Sequence, residues 1–187
     1  AAGSHGGHGN LAPAGSTYDD FRSPTRPGAG GAASGTTPGG NGGGVLRLTA
    51  NRLQLDGTLN ANGDIASGRG GAGGSIFLTV QELAGAGFIN ALGNNSGNGL
   101  GGGGGRIAVH YGSNLGFDFS RVLARGHNAG AGTIFLKGAA QSFGELRLDS
   151  ENQGDTSHSP TVVAADTFDA LRFSRNARVI VTGDVTA

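Results

Sequence analysis

The chain has 187 residues, 40 of them glycine, and contains no cysteine, methionine or tryptophan. Its 13 Lys and Arg side chains balance 13 Asp and Glu, so the formal net charge at pH 7 is zero. That balance argues against a nucleic-acid partner, which needs a basic face. The missing cysteine excludes disulfide and thiol chemistry, and no apolar run approaches the roughly 18 residues of a membrane-spanning helix.

Without a methionine even at position 1, the chain reads as a processed product or an excised piece. Residues 1–44 are rich in glycine and interrupted by Pro13, Pro24, Pro27 and Pro38. They show no apolar period, which predicts an irregular segment. Leu11, Tyr18 and Phe21 are spaced apolar anchors, so this segment is expected to lie as a cap over the first rung of the repeats that begin near Gly43, shielding an open edge. His5 and His8, with Asp19 and Asp20 nearby, are side chains of the kind that hold zinc, although a His-x-x-His pair in a glycine-rich loop has no set geometry. They are the candidate metal ligands. No cofactor motif stands out: Gly68–Gly73 has the G-x-G-x-x-G spacing but leads into a strand pattern, not a helix.

From Gly43 one pattern returns four times, as GGVLRL, GGSIFL, GGRIAV and AGTIFL, at offsets of 30, 31 and 27 residues. A second pattern follows the first three, at Leu59–Gly63, Ile89–Gly93 and Val122–Gly126. A fixed period of this length marks a stacked repeat architecture. Stacking predicts inner columns Leu46/Ile76/Ile107/Ile134, Leu48/Leu78/Val109/Leu136 and Ala50/Val80/Tyr111. The outer columns become Arg47/Phe77/Ala108/Phe135 and Thr49/Thr79/His110/Lys137. Gly63, Gly93 and Gly126 are read as corners with positive φ, and Asn60 over Asn90 as a short axial ladder.

Past Leu136 the repeat loosens. Leu146–Leu148 reads as another second strand, 149–161 as a polar loop, and 162–187 as shorter, plainer rungs. The expected fold is all-β, a parallel β-helix over 45–187 with Gly-rich loops between rungs and residues 1–44 as a cap. Five or six rungs would span about 25 Å at about 4.8 Å each.

The runs GSHGG, GGGVLRLTA, GGAGGSIFLTV, GGGGGRIAVHY and AGTIFLK resemble the glycine-rich β-solenoid regions of large bacterial secreted and surface, adhesin-like proteins. The resemblance implies right-handed coiling and an extracellular or cell-surface setting, and it carries over no catalytic residues. The acids Asp56, Asp64, Glu82, Asp118, Glu145 and Asp149 share no column, so an acid–base constellation is not expected. The function expected is that of a non-enzymatic structural module: an adhesin stalk, surface-layer or filament subunit. Such a module would self-associate end to end or along its flank, or continue a longer solenoid. The sequence ends at Val185–Ala187 while still alternating, which adds to the expectation of a homo-oligomer or filament. The alternative is a carbohydrate-active enzyme or sugar-binding module, with a glycan held on an outer face by Phe77, Phe135, His110 and Lys137. The plainer reading of the same residues puts the two rings under neighbouring loops and leaves His110 and Lys137 as solvated charges.

Overall fold

The computed structural model describes residues 2–10, 15–95, 99–152 and 160–187; the anchor expected at Leu11 lies outside them. Eleven strands run in order: β1 Val45–Gln54, β2 Thr58–Asn60, β3 Ser75–Ala84, β4 Phe88–Asn90, β5 Arg106–Asn114 and β6 Val122–Leu123. The last five are β7 Thr133–Gly138, β8 Glu145–Asp149, β9 Thr161–Thr167, β10 Ala170–Ser174 and β11 Val179–Thr186. Among the described residues the only helical element is a 3-10 turn at Phe119–Arg121.

Strands β1, β3, β5 and β7 stack in parallel, and β2, β4 and β6 form a second parallel sheet. This is the parallel β-helix expected from the repeat, and the registers Leu46↔Ile76, Ile76↔Ile107 and Ile107↔Ile134 reproduce the predicted columns. Ile76, Leu78, Ile107, Val109, Ile134 and Leu136 are buried, and Ile89, Val122, Ala91 and Ala124 close the core from the second sheet. Asn60 does lie beside Asn90. The axial bond, however, runs from the Leu92 N–H to Asn62 Oδ1 at 2.7 Å, because Asn60 Oδ1 is taken by the N–H of Asn62.

The Gly-rich segments form a structure of their own beside the sheets. Residues 68–75 hydrogen-bond to six different backbone segments. Gly70 O accepts from Gly3, Arg69 O from Gly40 and Gly71 O from Asn94, while Ala72 N–H donates to Ala29 O, Gly73 N–H to Gly103 O and Gly74 N–H to Ala61 O. Six partner segments are more than the two neighbours a flat strand pairs with; they suit an extended backbone of three residues per turn, whose peptide groups point about 120° apart. Such rods touch only where no side chain intervenes. A Cβ on Gly70 would lie 1.8 Å from Asn94 O, and one on Gly73 2.1 Å from Ala91 O. The same crowding corrects the reading of the corner glycines: Gly63, Gly93 and Gly126 do not have positive φ, and a Cβ on them would meet backbone at 2.3, 2.1 and 2.6 Å. Glycine is needed there for proximity.

Among its described residues, the N-terminal segment expected as a cap adds no strand to the free edge of β1. Residues 2–10 join the glycine bundle along the flank, through Gly3 to Gly70, Gly7 to Gly104 and Gly130 to His8. Residues further on cross the outer face of the first sheet, where the Phe21 ring packs edge-on against Phe135 at 5.6 Å and tilted against Phe168 at 5.7 Å.

The C-terminal part departs most from the sequence reading. After β7 the chain turns back through 139–144, with Gly144 at φ 86°, and β8 pairs antiparallel to β7 in the same sheet instead of forming a second-sheet strand. Paired residues share a face, so the register Phe135↔Leu146 and Ile134↔Arg147 puts the leucines of β8 outside and its arginine inside. Strand β10 pairs with β8 in parallel, and β11 pairs with β9 in a separate sheet. The parallel stack ends at β7, short of five or six rungs. A second core forms on the opposite face from Phe135, Ala108, Leu146, Leu148, Val163 and Phe168.

Candidate functional site

Three places gather chemistry-bearing side chains. The first is a buried cluster on the glycine flank, built from the heads of the stacked strands: Ser75, Arg106 and Thr133 are in register and buried. Arg106 Nε donates to Tyr18 O at 2.8 Å and Nη1 to Thr133 Oγ1 at 3.0 Å. Ser75 Oγ donates to Arg26 O at 2.6 Å. His5 is fully buried, with Nδ1 2.9 Å from Gly73 O and Nε2 3.5 Å from Asp19 Oδ2. Because Gly73 O can only accept, the neutral ring carries its proton on Nδ1. Asp19 sits at φ 75° and accepts the N–H groups of Thr25 and Arg26 at 2.8 and 2.9 Å.

Burial pushes the His5 pKa below its ordinary value, against the opposing effect of the Gly73 carbonyl and Asp19. Burial likewise lowers Arg106, to about 10. Asp19 is raised by burial, but its backbone donors outweigh that and hold it below the usual carboxylate range. The unfolded chain takes up protons on His5 near pH 6.5, before the folded one does, so this contribution to stability is present above that pH and is lost as pH falls toward the folded pKa. His110 and His127, also lowered chiefly by burial, act with the same sign. The melting temperature is therefore expected to fall between pH 7.5 and 5.5, with a shallower slope in a His5→Gln variant. Thermal melts across that range check it.

The candidate metal pair is not assembled. His5 faces Asp19 and Gly73, whereas His8 Nδ1 lies 2.9 Å from Gly15 O. Among the described residues no group of three His, Cys, Asp or Glu could hold a metal ion.

The second place is the outer column. Phe77 and Phe135 stand two rungs apart in one column across Ala108, and the His110 ring, from the neighbouring column, lies T-shaped to both at 5.1 and 5.7 Å. Phe135 is completely buried, however, so it is not an outer-face contact. The inversion at β8 and the arrival of Phe21 have covered it. Arg47 lies over the Phe77 ring at 4.8 Å. Lys137 Nζ turns to the hairpin carbonyls of Ser142 and Gln141, at 2.5 and 3.3 Å. Of the four residues expected on the outer face, Phe135 is covered, while Phe77, His110 and Lys137 stay half-buried and His110 and Lys137 line an open depression with Thr79 and Tyr111.

The third place went unread in the sequence. Where the first core ends above β6, a cavity of about 180 Å³ has an apolar floor including Val122, Ala124 and Ile134, with Arg147, Arg172 and Arg175 on its walls. Arg147 and Arg172 are neighbours in register, a like-charge pair that would repel. Glu145 bridges them, meeting Arg147 at 2.8 and 3.0 Å and also hydrogen-bonding Arg172 Nε. Burial raises the Glu145 pKa, but the two guanidinium groups prevail and hold it below the usual range. Its signal in the sequence is the repeat of Leu-Arg in ELRLD and ALRFS, but only the direction and register of β8 say which face those arginines take.

Among the described residues no helix is long and apolar enough to span a bilayer. Comparison of the chain with protein-family models, curated proteins and solved structures returned no match.

Proposed function

We propose that the chain is a non-enzymatic structural module of an extracellular or cell-surface protein, serving as an adhesin stalk, surface-layer or filament subunit that self-associates. The observation that carries this reading is where the reactive side chains are spent. His5 and Arg106 are held by the carbonyls of Gly73 and Tyr18, Ser75 Oγ lies between Asp19 and the Arg26 carbonyl, and His110 is wedged between two rings. No carboxylate shares the registered outer positions of His110 and Lys137, so a general acid–base pair is not assembled there. The expected result is no turnover of pectic, alginate or β-glucan substrates. Turnover lost in His110→Ala or Lys137→Ala would overturn the reading.

A second reading, a sugar-binding module, draws on the cavity above β6. It combines an apolar floor with guanidinium groups, and Arg172 is two-thirds exposed. A uronate ring would compete there with Glu145, which holds Arg147 and Arg172, while Asp149 holds Arg175. Calorimetric titration with galacturonate and glucuronate oligomers, repeated on Arg172→Ala, separates this reading from the first.

A further inference from the structure

We infer that the open edge of β1 is the self-association surface and that its occupant is β1 of a second copy, paired antiparallel about a twofold axis. The inference rests on the proposed self-association and names its partner and register. On the second rung Ile76, Leu78, Val80, Leu83 and Ile89 are at most 2% exposed, whereas their first-rung equivalents Leu46, Leu48, Ala50, Leu53 and Leu59 are only partly buried against the same core. Among the described residues no strand pairs with the far edge of β1; residues 2–10 join the flank and Phe21 lies on the outer face. The edge is ten residues long and carries no proline. Native edges of that length are ordinarily covered or blunted.

The hydrogen-bond phase limits which partner fits. Ser75 N–H donates to Gly44 O, so alternate residues from Gly44 onward face β3, and Val45, Arg47 and Thr49 turn both backbone groups to the open edge. In an antiparallel twofold pair those odd-numbered residues must oppose one another. A register with Arg47 opposite itself would confront two cations, and one with Thr49 opposite itself would place Leu46 against Arg52. The register between them sets Arg47 opposite Thr49, Leu48 opposite Leu48 and Leu46 opposite Ala50, continuing the apolar core across the axis without opposed like charges. The protein already joins two stacks by antiparallel pairing within one sheet, at β7 and β8. Zero net charge leaves little long-range repulsion between copies.

Thr49 is exposed, so changing it tests the register with little burden on the fold. Sedimentation equilibrium should show Thr49→Lys, which faces Arg47 twice in the dimer, weakening association by about tenfold, and Thr49→Glu tightening it. The sequence has no native cysteine, so Leu48→Cys supplies a single thiol, and mild oxidation should give a 48–48 disulfide dimer. Phe173→Cys, on β10, should stay uncrosslinked. If the wild type associates but neither Thr49 variant shifts it and Leu48→Cys does not crosslink, another surface is used; the β1 pairing fails while self-association stands. A wild type that is strictly monomeric at high concentration overturns both.

Discussion

Leu78→Asp is expected to abolish folding, leaving a chain with no cooperative melt by circular dichroism. Leu78 is completely inaccessible and stacks between Leu48 and Val109 in the inner column. An ionised carboxylate there would have no partner, and stranding it costs several kcal/mol, comparable with the whole stability of a domain of about 5–15 kcal/mol. The informative companion is Phe135→Ala. The alternation of the sequence places Phe135 in an outer column, under a neighbouring loop or open to a sugar ring, and names no second core there. In the structure it is buried among Ala108, Leu146, Leu148 and Phe168, with Arg22 stacked 5.1 Å from its ring. Emptying that site is expected to cost about 3–5 kcal/mol. A Phe135→Ala protein as stable as wild type would show that the second core is not formed.

Gly104→Ala and Gly57→Ala should diverge sharply although they are the same chemical change. A Cβ on Gly104 would lie 1.8 Å from Ala124 O and 2.4 Å from Gly132 N, both backbone atoms that no rotamer change can move aside. Gly104 also accepts from the Gly7 N–H at 2.9 Å and donates to Gly130 O at 3.0 Å, so displacing it disturbs two neighbouring rods together. The expected cost is about 3 kcal/mol or more, the upper end for overpacking, because the clash is with main chain. A Cβ on Gly57 meets nothing within 4 Å, and its φ is not in the left-handed region. Alanine there restricts the unfolded chain without straining the folded one, and should stabilise by about 0.4–1 kcal/mol. Urea denaturation of the two variants measures the contrast. Equal effects would mean that the glycine segments do not pack as a bundle.

The β-helix itself was legible in the sequence, because its physics is local and periodic. The offsets of 30, 31 and 27 residues reappear as the registers of β1, β3, β5 and β7, down to Thr49 over Thr79 and His110 beside Lys137. Alternation along each strand told inside from outside as long as the strands stayed parallel. What only the tertiary structure decided was the direction and register of β8. ELRLD reads identically in either direction and register. The antiparallel register Phe135↔Leu146 sends Leu146 to the outer face and Arg147 to the inner one, where a slip of one residue would do the opposite. That pairing buried Phe135 and created the arginine-walled cavity. The glycine bundle was hidden for a different reason. Forty glycines signal close approach of backbone, but glycine has no side chain to pattern, so nothing in the order of residues 2–10 says that they lie beside 70, 104 and 130. The His5–Asp19–Arg106 cluster is a consequence of that placement: its members are remote in sequence and meet only because the N-terminal rod occupies the flank.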